Sequence, residues 1–212
     1  MVSMTDHDTG MARRADGAAP SAGPRAGLSA GPSAGPSAGP GAGPTGQKKG
    51  RRGMSGLIQT VTVAGAVGAG LVGGVFFAFS AFVMPALRQL PAAQGIGAMQ
   101  SINRTAVTAP LMLALFGTAV LSGIAIVWAL RSWGQAAAPW MLAGGLAYLA
   151  AVAITIVANV PLNDSLAGLD PASAGAPVQW AGFVTRWTAW NHLRGAGAAA
   201  GSLAFILALI SG

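Results

Sequence analysis

The run LIQTVTVAGAVGAGLVGGVFFAFSAFVMPAL, residues 57–87, carries no charge and is interrupted only by Gln59, Thr60, Thr62 and Ser80. About 20 apolar residues suffice to cross roughly 30 Å of hydrocarbon at 1.5 Å per residue. Backbone groups in lipid must pair within the segment, and a helix pairs them. The stretch therefore reads as a membrane-spanning helix, and the chain repeats the pattern at about 110–130, 139–160 and 187–210. Pro110 and Pro139 suit a first helical turn, where no N–H partner is lost. The expected fold is all-α: a four-helix integral membrane bundle over residues 54–212, preceded by a disordered tail.

Composition points the same way. The chain of 212 residues is 53% hydrophobic and 8% charged, with mean hydropathy +0.58. A soluble domain carries about 25% charge, so these charges are too few to wet a globule. Cysteine is absent, which removes disulfides, thiolate metal sites and a cysteine nucleophile. The net charge of +7 divides into seven basic and three acidic residues in 1–53, and five and two in 54–212. No basic face with interleaved aromatics results, so nucleic acid is not an expected partner. The bilayer is.

Residues 1–53 are of low complexity, with AGP at 22–24, 30–32, 34–36, 38–40 and 42–44. With few large apolar side chains the segment cannot offset its ordering entropy, so it reads as an extended, disordered tail. KKGRR (48–52) closes it, and Met54 just beyond is an alternative start. A basic cluster before the first span places the N-terminus in the cytoplasm, and an even number of spans returns the C-terminus there. The expected location is the cell membrane, multi-pass. Trp128, Trp133 and Trp140 read as interfacial anchors on one side, and Trp180, Trp187 and Trp190 on the other. Small residues four apart (Gly65, Ala69, Gly73; Ala66, Gly70, Gly74; Gly197, Gly201) permit close helix packing, within one chain or in a homodimer.

Polar residues gather at one end. The end of span 1, the first loop, the end of span 3 and the start of span 4 share the outer side. They bring Arg88, Gln100, Asn103 and Arg104 towards Asn159, Asn163, Asp164, Trp187, Asn191, His192 and Arg194. The loop 92–104 reads as a short interfacial helix with Ile96, Met99 and Ile102 on one side. Asn159 and Asn163 would share a face if the helix passed Pro161, but a proline ends or kinks a helix. In WTAWNHLR (187–194), Trp187, Asn191 and Arg194 form one stripe, and Thr188 with His192 the next. Asp164 is the expected counter-ion of a buried cation, with Arg194 first and Arg104 second. Structural caps and snorkelling anchors account for the same residue types equally well. No metal centre is expected, since no His/Glu spacing of a zinc or di-iron site occurs. No lysine-bearing phosphate loop occurs either.

The motifs GGVFFAFSAFVMPALRQLP (73–91), AMQSINR (98–104), NVPLND (159–164) and WTAWNHLR (187–194) resemble, in order and spacing, the DUF1772 family of small four-helix membrane proteins, grouped with the fungal anthrone oxygenases. The resemblance covers about residues 57–210. It implies oxidation of a lipophilic aromatic such as an anthrone by O₂, with no dedicated cofactor; most bacterial members have no assigned reaction. On that chemistry His192 is the candidate base. Asn159, Asn163 and Asn191 are candidate donors to an enolate oxygen, with Asn103, Arg104, Asp164, Trp187 and Arg194 completing the substrate site. Phe76, Phe77, Phe79, Trp187 and Trp190 would sandwich a flat ring system. Two other readings stand beside it: a non-enzymatic membrane subunit or small-molecule binder whose polar cluster is a brace, and, more weakly, a small transporter.

Overall fold

The computed structural model describes residues 54–107 and 109–212; the tail 1–53, with its expected disorder and basic cluster, lies outside them. Five helices are present among the described residues. Four are long and apolar enough to cross a membrane: α1 (Gly56–Gln89), α3 (Ala109–Arg131), α4 (Ala138–Ala167) and α5 (Ala176–Ser211). The fifth, α2 (Ala92–Ala106), follows α1 after a break at Leu90 and Pro91. The long helices pack as a ring in which α5 touches α1 and α4, and α3 touches the same two from the opposite side. At most 33% of each apolar window is buried. The outward faces carry large side chains such as Leu71, Phe77, Leu113, Val120 and Leu203. In water this would be a continuous apolar patch; against acyl chains it costs nothing. The chain is a multi-pass membrane protein.

Close packing rests on glycine. The row Gly65, Ala69 and Gly73 is buried, whereas Gly70 and Gly74 of the neighbouring row are exposed. Phe205 of α5 lies between Gly65 and Gly144, where added Cβ atoms would come within 3.2 and 2.9 Å of its ring. A Cβ on Gly145 would sit 2.8 Å from the backbone oxygen of Ser122 and 2.6 Å from Ile126 Cγ1. Backbone cannot step aside as a side-chain tip can. Gly145→Ala is therefore expected to push α3 from α4 and destabilise the bundle by about 2 kcal/mol. Unfolding in mixed micelles would measure this, and an unchanged midpoint would refute the close approach.

The helices differ in reach. Thr118 of α3 packs beside Gly68 of α1. Running antiparallel at equal rise, α3 therefore begins at about the height of Phe77. The other three continue past it: α5, with 36 residues, is about 54 Å long, against about 35 Å for the 23 residues of α3. α2 packs against the projecting ends of α1, α4 and α5. Ile96 and Met99 are fully buried there, with Trp180, Phe183 and Trp187. Met54 packs beside Gly212 at the opposite end of the bundle.

α5 begins at Ala176, well before the expected Trp187, and two further features depart from expectation. First, α4 does not stop at Pro161. A wider, π-type turn at Thr155–Asn159 precedes the proline, and α4 continues to Ala167. α1 does the same, with a π-type turn at Phe79–Val83 before Pro85. A proline removes one N–H and crowds the carbonyl four residues back; widening the turn absorbs both. Second, Trp180 and Trp187 are buried core residues and not interfacial anchors, while Trp133, Trp140 and Trp190 are exposed.

Candidate functional site

The stripe on α5 faces inward as its spacing requires: Trp187, Asn191 and Arg194 are buried. Asn191 is fully enclosed and uses both ends of its amide. Its Nδ2 donates to Phe76 O and to Ser80 Oγ, each at 2.6 Å. Its Oδ1 accepts from Arg194 Nε at 2.9 Å. These bonds tie α5 to α1 at the widened turn that contains Ser80.

Because α4 continues past Pro161, Asn159 and Asn163 do share a face, and both meet Trp187. Asn159 Nδ2 donates to the Trp187 carbonyl at 3.3 Å, and the Trp187 indole N–H donates to Asn163 Oδ1 at 2.8 Å. Asn159 Oδ1 is buried without a partner.

Arg194 is the unusual member. Its Cζ lies 4.2 Å from the centroid of the Phe76 ring and 4.9 Å from that of Trp187. Two aromatic faces therefore cradle the guanidinium. Among the described residues it has no carboxylate partner. Asp164, the expected counter-ion, is exposed, as is Asp170, and these are the only acidic residues after position 53. Asn191 takes the inward position that an acid would need. A buried, unpaired cation is unfavourable by several kcal/mol even after cation–π contacts and one hydrogen bond.

That cation borders a cavity of about 230 Å³ at the step where α3 begins. Val72, Phe76 and Phe79 of α1 line it, with Leu111, Met112 and Leu115 of α3. α2 contributes Ile102 and Asn103, α4 Thr155 and Asn163, and α5 Trp187, and the cavity stays partly open past the exposed Phe116 and Ile156. Among the described residues no acidic side chain and no histidine is in the lining. The volume falls just below the roughly 300 Å³ at which drug-sized sites begin, so a flat, compact ligand fits better than a bulky one. Asn103 Nδ2 is buried there with no partner. The cavity thus offers apolar walls, aromatic faces and one positive charge, with an unused amide donor buried in its wall.

The expected site residues therefore separate. Asn103, Asn163, Trp187 and Arg194 border the cavity, while Asn159 and Asn191 lie behind it as braces. Arg104 and Asp164 are exposed and outside the lining. His192 is exposed and lines an open groove on the outside of α5. Of the expected aromatic sandwich, Phe76, Phe79 and Trp187 are present, whereas Phe77 and Trp190 are exposed and absent from the lining. Sequence reasoning missed Ser80, although it is the only polar side chain between Thr62 and Arg88. It also missed Leu111, Met112 and Leu115, which carry no polar signal. Among the described residues no group of three His, Asp or Glu side chains would hold a metal ion.

The family comparison agrees with this architecture. The anthrone oxygenase family model matches residues 99–204, from α2 through most of α5, and so takes in every polar residue of the cavity. No curated protein and no solved structure matches the chain. With half of its length matched, including both Asn103 and Arg194, the chain belongs to the anthrone oxygenase family.

Proposed function

We propose that the protein is a membrane oxygenase that oxidises a flat, lipophilic aromatic with an acidic C–H, of the anthrone type, with O₂ as oxidant. The observation that carries this reading is the buried Arg194 guanidinium, unpaired by any carboxylate of the described residues, at the wall of an aromatic cavity. An anthrone CH₂ loses one proton to give an enolate whose charge rests on the ring-carbonyl oxygen. Arg194 supplies the missing counter-charge to that oxygen, and Asn103 Nδ2 a further donor. Fixed donors aimed at developing charge in a water-poor site are worth more than the same groups in water. The carbanion transfers one electron to O₂, and the radical pair combines to form a C–O bond. The resulting peroxide takes up a proton and loses water, so that CH₂ plus O₂ becomes C=O plus H₂O. Among the described residues no imidazole or carboxylate lines the cavity, so the first proton is released to bulk water at the membrane surface, outside the site.

Full-length protein in nanodiscs, supplied with an anthrone and O₂, is expected to form quinone and consume O₂ faster than empty nanodiscs. Equal rates would end the proposal. His192→Ala is expected to keep turnover within about twofold, as for a surface change away from the chemistry. A large loss would return the histidine to the reaction as base.

A second reading has its own support. The bonds of Asn191 to α1 and of Asn159 and Asn163 to Trp187 are bracing contacts that need no substrate. If bracing were their whole purpose, the protein would be a binding or structural subunit. An aromatic phenolate would then bind in the cavity without being consumed. The proposed setting for either is the cell membrane, with both chain ends on the cytoplasmic side and the cavity towards the outer face, as the basic cluster 48–52 favours.

A further inference from the structure

Arg88, Thr188 and His192 take no part in the cavity. They meet on the outside of the bundle, where the end of α1 passes α5, in an open groove of about 590 Å³. Met84 and Val184 form part of its walls. Arg88 and His192 are exposed, and Thr188 Oγ1 is buried with no hydrogen-bond partner. Among the described residues no acidic side chain is in the lining.

A second hollow of about 230 Å³ shares His192 and continues down the same pair of helices. Gly73, Gly195, Ala196 and Ala199 line it, and their small side chains leave it open. Apart from His192 at its upper end, its polar members, Ser80 and Asn191, are hydrogen-bonded to each other, so the hollow presents a largely apolar surface. Height completes the picture. Asn191 reaches Phe76 and Ser80, and α3 begins at about the height of Phe77. The junction of the two hollows therefore lies at the edge of the hydrocarbon, with the cationic groove above it and the apolar trough below.

We propose that this furrow binds one anionic glycerophospholipid. The phosphate accepts hydrogen bonds from the exposed Arg88 guanidinium and His192 imidazole, and one acyl chain runs down the trough lined by Gly73 and Ala199. Charge-assisted bonds to phosphate favour an arginine beside further donors, and basic residues at this depth favour anionic over zwitterionic headgroups. A soluble phosphate ester would fill only the upper groove and leave the trough empty. The site is separate from the oxygenase cavity and does not depend on its chemistry.

Native mass spectrometry of the full chain, released from nanodiscs of phosphatidylcholine with a minority of phosphatidylglycerol, tests this. Wild type is expected to retain phosphatidylglycerol about tenfold in preference to phosphatidylcholine. The double variant Arg88→Ala/His192→Ala is expected to lose that preference. Ala199→Phe, which fills the trough from an exposed position, is expected to reduce retention of the whole lipid. Added glycerol 3-phosphate is expected not to displace it. Equal retention of both lipids, an unchanged double variant, retention unaffected by Ala199→Phe, or displacement by glycerol 3-phosphate would each overturn the assignment.

Discussion

Replacing Arg194 by methionine is expected to lower quinone formation from an anthrone roughly 100-fold, the usual cost of removing one charge-stabilising donor. Methionine fills a similar volume and packs well against aromatic rings, so Phe76 and Trp187 keep a neighbour. Losing the cation also removes an unfavourable buried charge, so the variant should remain folded. The loss should fall on kcat more than on KM, because the enolate charge exists in the transition state and not in the neutral substrate. Arg194→Lys should fall between the two. An ammonium keeps the charge but loses the planar stack on two rings and the Nε bond to Asn191. Initial rates of quinone absorbance and O₂ uptake give the comparison. A methionine variant within threefold of wild type would show that the guanidinium does not serve the reaction.

Much of the fold was legible because four apolar runs are longer than the bilayer needs, and no soluble alternative competes. Where the reading failed, the cause was direction and height. Neighbouring residues on a helix point about 100° apart. NVPLND therefore sends either Asn163 or Asp164 inward, and WTAWNHLR either Asn191 or His192. Charge complementarity favoured Asp164 as the partner of Arg194, but packing turned Asn163 inward and left Asp164 exposed. The same choice put Asn191 in the core and His192 outside. Pro161 was a fair stop signal by local rules; a widened turn upstream, invisible in the residues themselves, let α4 continue. The early start of α5 was readable in principle. Trp180, Phe183, Val184 and Trp187 recur at helical spacing and are buried. Gln179 and Arg186 hid them from a hydropathy reading, because this part of the helix lies beyond the height at which α3 begins.

Asn191→Leu is expected to be the most destabilising single change at the site, by about 3 kcal/mol. A single interhelical hydrogen bond in a membrane protein is worth about 0.6 kcal/mol on average, so the bonds to Phe76 O and Ser80 Oγ do not reach that figure alone. The remainder comes from Arg194. Leucine removes the oxygen that accepts its Nε, and among the described residues no carboxylate lines the cavity to replace it. The leucine variant therefore carries an orphaned buried cation as well as two broken ties to α1. This partition has a consequence that a sum of contacts does not. If Arg194 is already methionine, there is no cation to orphan, and Asn191→Leu should then cost only about 1 kcal/mol. The double variant should therefore be more stable than the two single effects predict, by about 2 kcal/mol of coupling. Reversible unfolding in mixed micelles across the four proteins measures that term. Strict additivity would mean that Asn191 braces α1 and α5 without regard to the charge beside it. The unpaired guanidinium would then be tolerated by its two aromatic rings alone, and the cavity would have no electrostatic demand for a substrate to meet.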